Sequence, residues 1–270
     1  MNDVPGIDIA PVTGWLEGHV PGARGPFSFE VIAGGHSNLT YRVVGADGAA
    51  FVLRRPPLGH RLASAHDMVR EHRVIAALQR SAVPVAPALG LCTDDTVNGA
   101  PFYVMGFVDG HVVRDRAIAE QSLTLPARRR AGESLVETMA AIHAVDLDAV
   151  GLADLGKHEG YIARQLKRWY GQWNDQKTRD VRAVDDVFEA LNQRIPDQGQ
   201  ATLVHGDYRL DNCIVGDDGG VRAVLDWEIC TLGDPLADLG LLMVYWTGPG
   251  DAANAWRDTP TQIDGFWDRA

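Results

Sequence analysis

The sequence is short of cysteine and of long apolar runs, and it has no excess of positive charge. Three cysteines in 270 residues, Cys92, Cys213 and Cys230, are too few and too scattered for a disulfide framework. No Cys-x-x-Cys or His/Cys ligand spacing marks a zinc site, so the three read as reduced thiols of a cytoplasmic protein. The longest strongly apolar run, near Leu239 to Trp246, is too short to span a bilayer. The N-terminal MNDVPGIDIAPVTG has neither the basic nor the apolar segment of a secretory signal, so no membrane partner is expected. A formal net charge of −11 argues against a general nucleic-acid surface. No Gly-x-Ser-x-Gly elbow suggests a serine hydrolase.

A hydrophobic content of 46% is enough to bury a substantial core, in one large domain or two lobes. The informative stretch is TLVHGDYRLDNCIVGDDGGVRAVLDWE, Thr202 to Glu228. Cys213-Ile214-Val215 and Val221 to Leu225 flank an Asp-Asp-Gly-Gly turn, the pattern of a β-hairpin. Such a hairpin sets Asp207 and Asn212 before its first strand and Asp226 at the exit of its second. A carboxylate to accept a hydroxyl proton, with an amide and a second carboxylate to hold Mg²⁺, are the parts of a phosphoryl-transfer site.

The wording His-Gly-Asp-x-x-x-x-Asn followed by Leu-Asp-Trp-Glu resembles the aminoglycoside phosphotransferase family of small-molecule kinases. Together with GGHSNLTYRV, FVLRRPP and ICTLGDPLADLG, it is most similar to the branch related to the kinase domains found beside acyl-CoA dehydrogenases. The match runs from about Gly34 to about Trp246. The resemblance implies an α+β, protein-kinase-like bilobal fold: a small, mainly antiparallel β N-lobe with one main helix, and a larger, mainly helical C-lobe. It places the arm and nucleotide-binding lobe in residues 1–106 and the helical lobe in 107–270. Relatives usually continue with further helices that help wall the substrate pocket, so past Ala270 either the chain is short or those helices are absent from the sequence. It also implies ATP and Mg²⁺ as cofactors and a small-molecule hydroxyl as substrate, with Asp207 as catalytic base and Asn212 and Asp226 as metal ligands.

The rest of the chain fits that plan. Residues 1–25 have little periodicity and read as an arm anchored through Trp15-Leu16. The strand–turn–strand around Gly34, Gly35, His36, Ser37 and Asn38 suits a lid over phosphates, although alone it signals no more than a turn. Strand 51–54 carries Arg54 where kinases hold a lysine, with Arg55 as the alternative. Met68, Glu71, Ile75 and Leu78 share one face of a helix spanning about Ala65 to Arg80, so a glutamate embedded in that stripe needs a cation, and Arg54 is the candidate. The resemblance makes Met105 to Phe107 the hinge that meets adenine. His143 reads as a packed or capping histidine, and Asp234 and Asp238 as scaffolding acids. On the helix near Tyr161 to Asp175, Ile162, Leu166, Trp169 and Trp173 are expected to face the core. Its basic face is expected to be solvated or to meet an anionic substrate. A catalytically weak nucleotide-binding protein and an unrelated hydrolase using His205, Asp207 and Asp226 are the competing readings.

Overall fold

A computed structural model describes residues 4–33, 38–59, 67–248, 251 and 258–268. Residues 4–25 do not form an irregular arm: α1 spans Ile9–His19. Pro11 is tolerated because it lies in the first turn, where the backbone N–H has no helical partner to lose. Val12 and Leu16, one turn apart, are fully buried, so the expected Leu16 anchor holds while the expected irregularity does not.

Strands β1 (Ser28–Ala33), β2 (Leu39–Val44), β3 (Ala50–Arg55), β4 (Ala88–Cys92) and β5 (Phe102–Gly106) form one antiparallel sheet in the order β1-β2-β3-β5-β4. The two-residue alternation of β3 and β5 divides their side chains between two cores. Leu53 and Val104 join Tyr41, Val43 and Phe102 beneath α1, whereas Val52, Tyr103 and Met105 enter a core that continues into the second lobe. The same alternation separates the two arginines at the end of β3. Arg54 follows Val52 toward the interlobe cleft. Arg55 turns beneath α1, where it donates to the carbonyls of Gly6, Pro56 and Asn98.

Helix α2 (Met68–Leu78) is started by Asp67, whose side chain accepts from the Arg70 N–H. Met68, Glu71, Ile75 and Leu78 are all buried, as their spacing requires. After β4, the short α3 (Asp95–Asn98) leads to β5, and β6 (His111–Val112) enters the C-lobe. Helices α4 (Arg116–Ser122), α5 (Leu125–His143), α6 (Leu147–Val150), α7 (Tyr161–Gln176) and α8 (Arg182–Asn192) follow. Strands β7 (Thr202–Val204), β8 (Cys213–Val215), β9 (Val221–Val224) and β10 (Thr231–Gly233) precede α9 (Leu236–Tyr245). β8 and β9 form the expected hairpin and pair with β6, and β7 pairs with β10. The C-lobe core gathers Leu135 and Ile142 of α5, Leu203 of β7, Tyr208, Val224 and Trp227.

α7 departs from the core expectation. Of its residues only Tyr161 is buried; Trp169 is 57% exposed, and α8 buries no residue. The two helices pack mainly on each other, with Tyr170 stacked on Phe188 at a centroid separation of 3.8 Å. Their amphipathic patterns describe a helical pair with one shared seam, not two helices laid on the lobe. Among the described residues no helix is long and apolar enough to cross a membrane.

Candidate active site

The loop that carries Asp207 and Asn212, the expected catalytic loop, lies between β7 and β8, and its backbone is held by a buried acid. Asp238, in the first turn of α9, is 1% exposed and accepts from the N–H groups of His205 at 2.9 Å and Gly206 at 2.8 Å. His143, at the end of α5, donates from Nε2 to the same carboxylate at 3.0 Å. The packed histidine and the scaffolding aspartate therefore meet each other. Asp234 accepts from the Leu236 N–H as α9 begins. Gly206 has a φ of +88°, and a Cβ there would meet the Ile229 side chain at 3.1 Å, so the Gly of His-Gly-Asp is a steric requirement of the turn.

His205 is completely buried and is not placed as a nucleophile's base. Its Nδ1 accepts from the Asp207 N–H at 3.2 Å and its Nε2–H donates to the Leu225 carbonyl at 2.8 Å. Burial, opposed by the nearby Asp238 charge, lowers its pKa and keeps the ring neutral. The Leu225 N–H donates in turn to the Asn212 carbonyl at 2.8 Å. Both ends of residue 225 are thus tied to the catalytic loop, which brings the neighbouring Asp226 to Asp207 and Asn212. Asp226 itself has a φ of 63°, the left-handed region that few non-glycine residues adopt.

Asn212 donates from Nδ2 to the Asp207 carbonyl and to Asp207 Oδ2, both at 2.8 Å. With its nitrogen committed there, its Oδ1 is the atom left for a cation. Asp207 Oδ1 accepts from Arg209 Nε at 3.1 Å, and Arg209 also pairs with Asp211 at 2.6 Å. The Arg209 guanidinium lies over the Tyr245 ring at 4.6 Å. Burial raises the Asp211 pKa against the opposing pull of Arg209. Tyr208, fully buried, anchors the loop by donating to the Leu135 carbonyl at 2.7 Å.

Across the cleft, Arg54 is surrounded by acids. It lies 3.2 Å from Glu71, 2.5 Å from Asp226 and 3.8 Å from Glu228. Burial works against the Arg54 charge, but the surrounding acids outweigh it and raise its pKa. Burial pushes the Glu71 carboxyl up to about 7, with Arg54 opposing the rise. The Arg54 contact is a charge contact without good alignment, and the buried Tyr103 hydroxyl lies beside the same carboxylate and also opposes the rise. Asn38 donates to Glu228 at 3.1 Å, tying the end of the expected lid to the C-lobe. Gly34, Gly35, His36 and Ser37 lie outside the described residues.

Between the lobes is a 250 Å³ cleft, roofed by Val52 and Thr40, bounded by Met105 and Phe107 and floored by Ile214 and Val224, with Arg54 and Asp226 at its polar side. Both hinge residues therefore line it. A second cavity of 170 Å³ lies on the other side of the catalytic loop, walled by Arg209, Asp211, Tyr245 and Thr259. Sequence reasoning singled out neither Arg209 nor Asp211, although both lie within the catalytic wording. It also left Arg114, which lines both cavities, unremarked.

Comparison with known proteins gives the family and the fold. The model of the phosphotransferase enzyme family matches residues 28–267. Mouse acyl-CoA dehydrogenase family member 10 is 40% identical over 219 residues, covering 80% of this chain and 20% of its own length. The curated relatives matched are much longer proteins, of which the chain spans between 20% and 32%. A Ralstonia eutropha protein described provisionally as an aminoglycoside phosphotransferase superposes with a TM-score of 0.77 at 35% identity, covering 94% of this chain and 76% of that one. The GDP complex of aminoglycoside 2′-phosphotransferase-IIIa, at 17% identity, shares the fold with a TM-score of 0.57 over 78% of this chain and 70% of that one.

Proposed function

The chain belongs to the phosphotransferase enzyme family, and from that premise we propose that it transfers the γ-phosphoryl group of ATP to a hydroxyl of a small molecule. The observation that carries this reading is the tethering of residue 225 to both His205 and Asn212, which sets Asp226, at the polar side of an apolar interlobe cleft, next to the loop that carries Asp207 and Asn212. The cleft suits a purine between Val52 and Ile214, with the hinge at Met105 to Phe107 along its edge.

In this reading the acceptor enters from the cavity beside Arg209. Asp207 orients its hydroxyl and takes its proton as the new oxygen–phosphorus bond forms and the bond to the ADP oxygen breaks. The hydrogen bonds from Asn212 and Arg209 fix the plane of the Asp207 carboxylate, which matters because positioning supplies most of the catalysis in phosphoryl transfer. Arg54 contacts the phosphates with Glu71 as its brace.

The donor chemistry at Asn212 and Asp226 fits magnesium, a hard cation that takes one or two protein oxygens and fills its shell with phosphate and water. Among the described residues no group of three or more His, Cys, Asp or Glu side chains is arranged for a metal, and a site of this kind does not need one. When bound, the ion supplies charge neutralisation to the nucleotide phosphates.

The acceptor is a hydroxyl compound of either the aminoglycoside or the hydroxyacyl type; the dehydrogenase relatives motivate the second. A second reading, a nucleotide-binding protein of weak activity, is favoured by the contact between Arg54 and Asp226, which occupies a metal ligand with an arginine. An ATP-consumption screen over aminoglycosides, hydroxyacyl-CoAs, choline-like alcohols and sugars decides between them. Turnover that requires Asp207 is the expected result. Thermal stabilisation by MgATP with no turnover on any hydroxyl selects the second reading, and an Asp207→Ala protein active at the wild-type rate overturns the first.

A further inference from the structure

The two cavities share one cationic wall residue, Arg114, in the segment between β6 and α4. In the β6–β8 ladder His111 pairs with Val215 and Val112 with Ile214. β6 also packs on the Leu210–Asn212 turn that leads into β8, so the segment after Val112 that carries Arg114 runs beside the loop of Asp207 and Asn212. The other cations at the site are already committed. Arg54 is shared among Glu71, Asp226 and Glu228, and Arg209 between Asp207 and Asp211. Two guanidinium groups thus face five carboxyl groups, and a nucleotide triphosphate would bring further negative charge. Arg114 is exposed and, among the described residues, makes no hydrogen bond or ion pair, although its charge acts on Asp211.

We propose that Arg114 is a catalytic residue that binds the terminal phosphoryl group of the nucleotide where it passes from the nucleotide cleft to the acceptor cavity. This rests on the reading of the cleft as a nucleotide site. A planar guanidinium offers two parallel donors to phosphate oxygens, and at a junction between donor and acceptor it meets the charge as it spreads over the transferring group. The ADP left after transfer lacks that group, so Arg114 discriminates triphosphate from diphosphate.

The test is a binding comparison that needs no acceptor. Affinities of the wild-type chain, R114Q, R114K and R116Q are measured for MgADP and for the non-hydrolysable β,γ-imido analogue of MgATP. Melting temperatures without nucleotide confirm that each variant is folded. The wild type is expected to prefer the triphosphate analogue, and R114Q to lose about tenfold of that preference while its MgADP affinity holds. R114K is expected to keep part of it as a point charge without the fork. R116Q removes an exposed arginine already paired with Asp258 and is expected to keep all of it. An R114Q preference equal to wild type overturns the assignment of Arg114 while leaving the nucleotide reading intact, as does a wild-type chain that binds both nucleotides equally. A wild-type chain that binds neither overturns both.

Discussion

The two walls of the active-site cleft are built on different electrostatic terms. On the C-lobe side, the carboxylates of Asp207 and Asp238 have oriented donors: Asn212 and Arg209 for one, and two backbone N–H groups with His143 for the other. On the N-lobe side, one arginine is shared by three acids, and the buried Glu71 meets it without the alignment of a hydrogen bond. The first arrangement has one geometry in which its bonds are made. The second is a cluster of charge contacts around one guanidinium, none of which the others hold in place. The contrast suits a site in which the base stays fixed while the groups around the phosphates regroup as nucleotide enters and leaves.

The largest expected effect falls on the fixed wall. Asp207→Ala should lower kcat by about 10²- to 10⁴-fold while the thermal shift caused by magnesium nucleotide persists. Equal loss of both would mean that the two walls are not separable. Arg54→Ala attacks the other wall by leaving Glu71 buried without its cation. It should cost about 3–5 kcal/mol in urea unfolding, and a second substitution, Glu71→Gln, should restore much of that loss. Asp238→Ala strips two backbone N–H groups of their acceptor and should cost about 2–4 kcal/mol, with activity falling further than nucleotide affinity.

A pH comparison sharpens the contrast. The Glu71 pKa rises from 4.5 in the unfolded chain to about 7 in the folded one, so the folded chain holds a proton that the unfolded chain has released. Its contribution to stability is complete below 4.5 and is lost as pH rises through 7. The wild type should therefore lose stability relative to Glu71→Gln between pH 5 and pH 8, as measured by paired urea titrations. The lowered pKa of His205 acts in the opposite direction, with stability lost as pH falls, and it cancels in the comparison because both proteins carry it. At the bottom of the scale, Trp169→Ala on the exposed face of α7 should change stability by no more than about 0.5 kcal/mol.

That last prediction marks where the sequence stops being informative. The β8–β9 hairpin, the spacing of Asp207 and Asn212, and the burial of Glu71 against Arg54 were all legible, because each follows from a local rule: a turn signal, a loop length, or a charge in an apolar stripe that requires a partner. The choice between Arg54 and Arg55 was legible in part, since strand alternation separates them but does not say which face meets the cleft. Helix α1 was missed because its proline and two glycines lower helix propensity, and only packing of Val12 and Leu16 on the sheet recovers it. The stripe of α7 was read correctly as amphipathic and wrongly as core, because periodicity reveals that a helix has an apolar side but not what covers that side. Arg114 carries no local signal; only the packing of β6 on the Leu210–Asn212 turn and the two cavities single it out.

The backbone at Asp226 restricts evolution independently of any chemistry the side chain performs. At a φ of 63° the position is open to glycine and, at modest cost, to aspartate and asparagine, whereas β-branched residues are strongly disfavoured there. A lineage that abandoned phosphoryl transfer would therefore still be expected to drift among those three residues. Finding one of them in a distant homologue is weak testimony that it still turns over, and Asp207, which sits in no such backbone corner, is the more trustworthy witness.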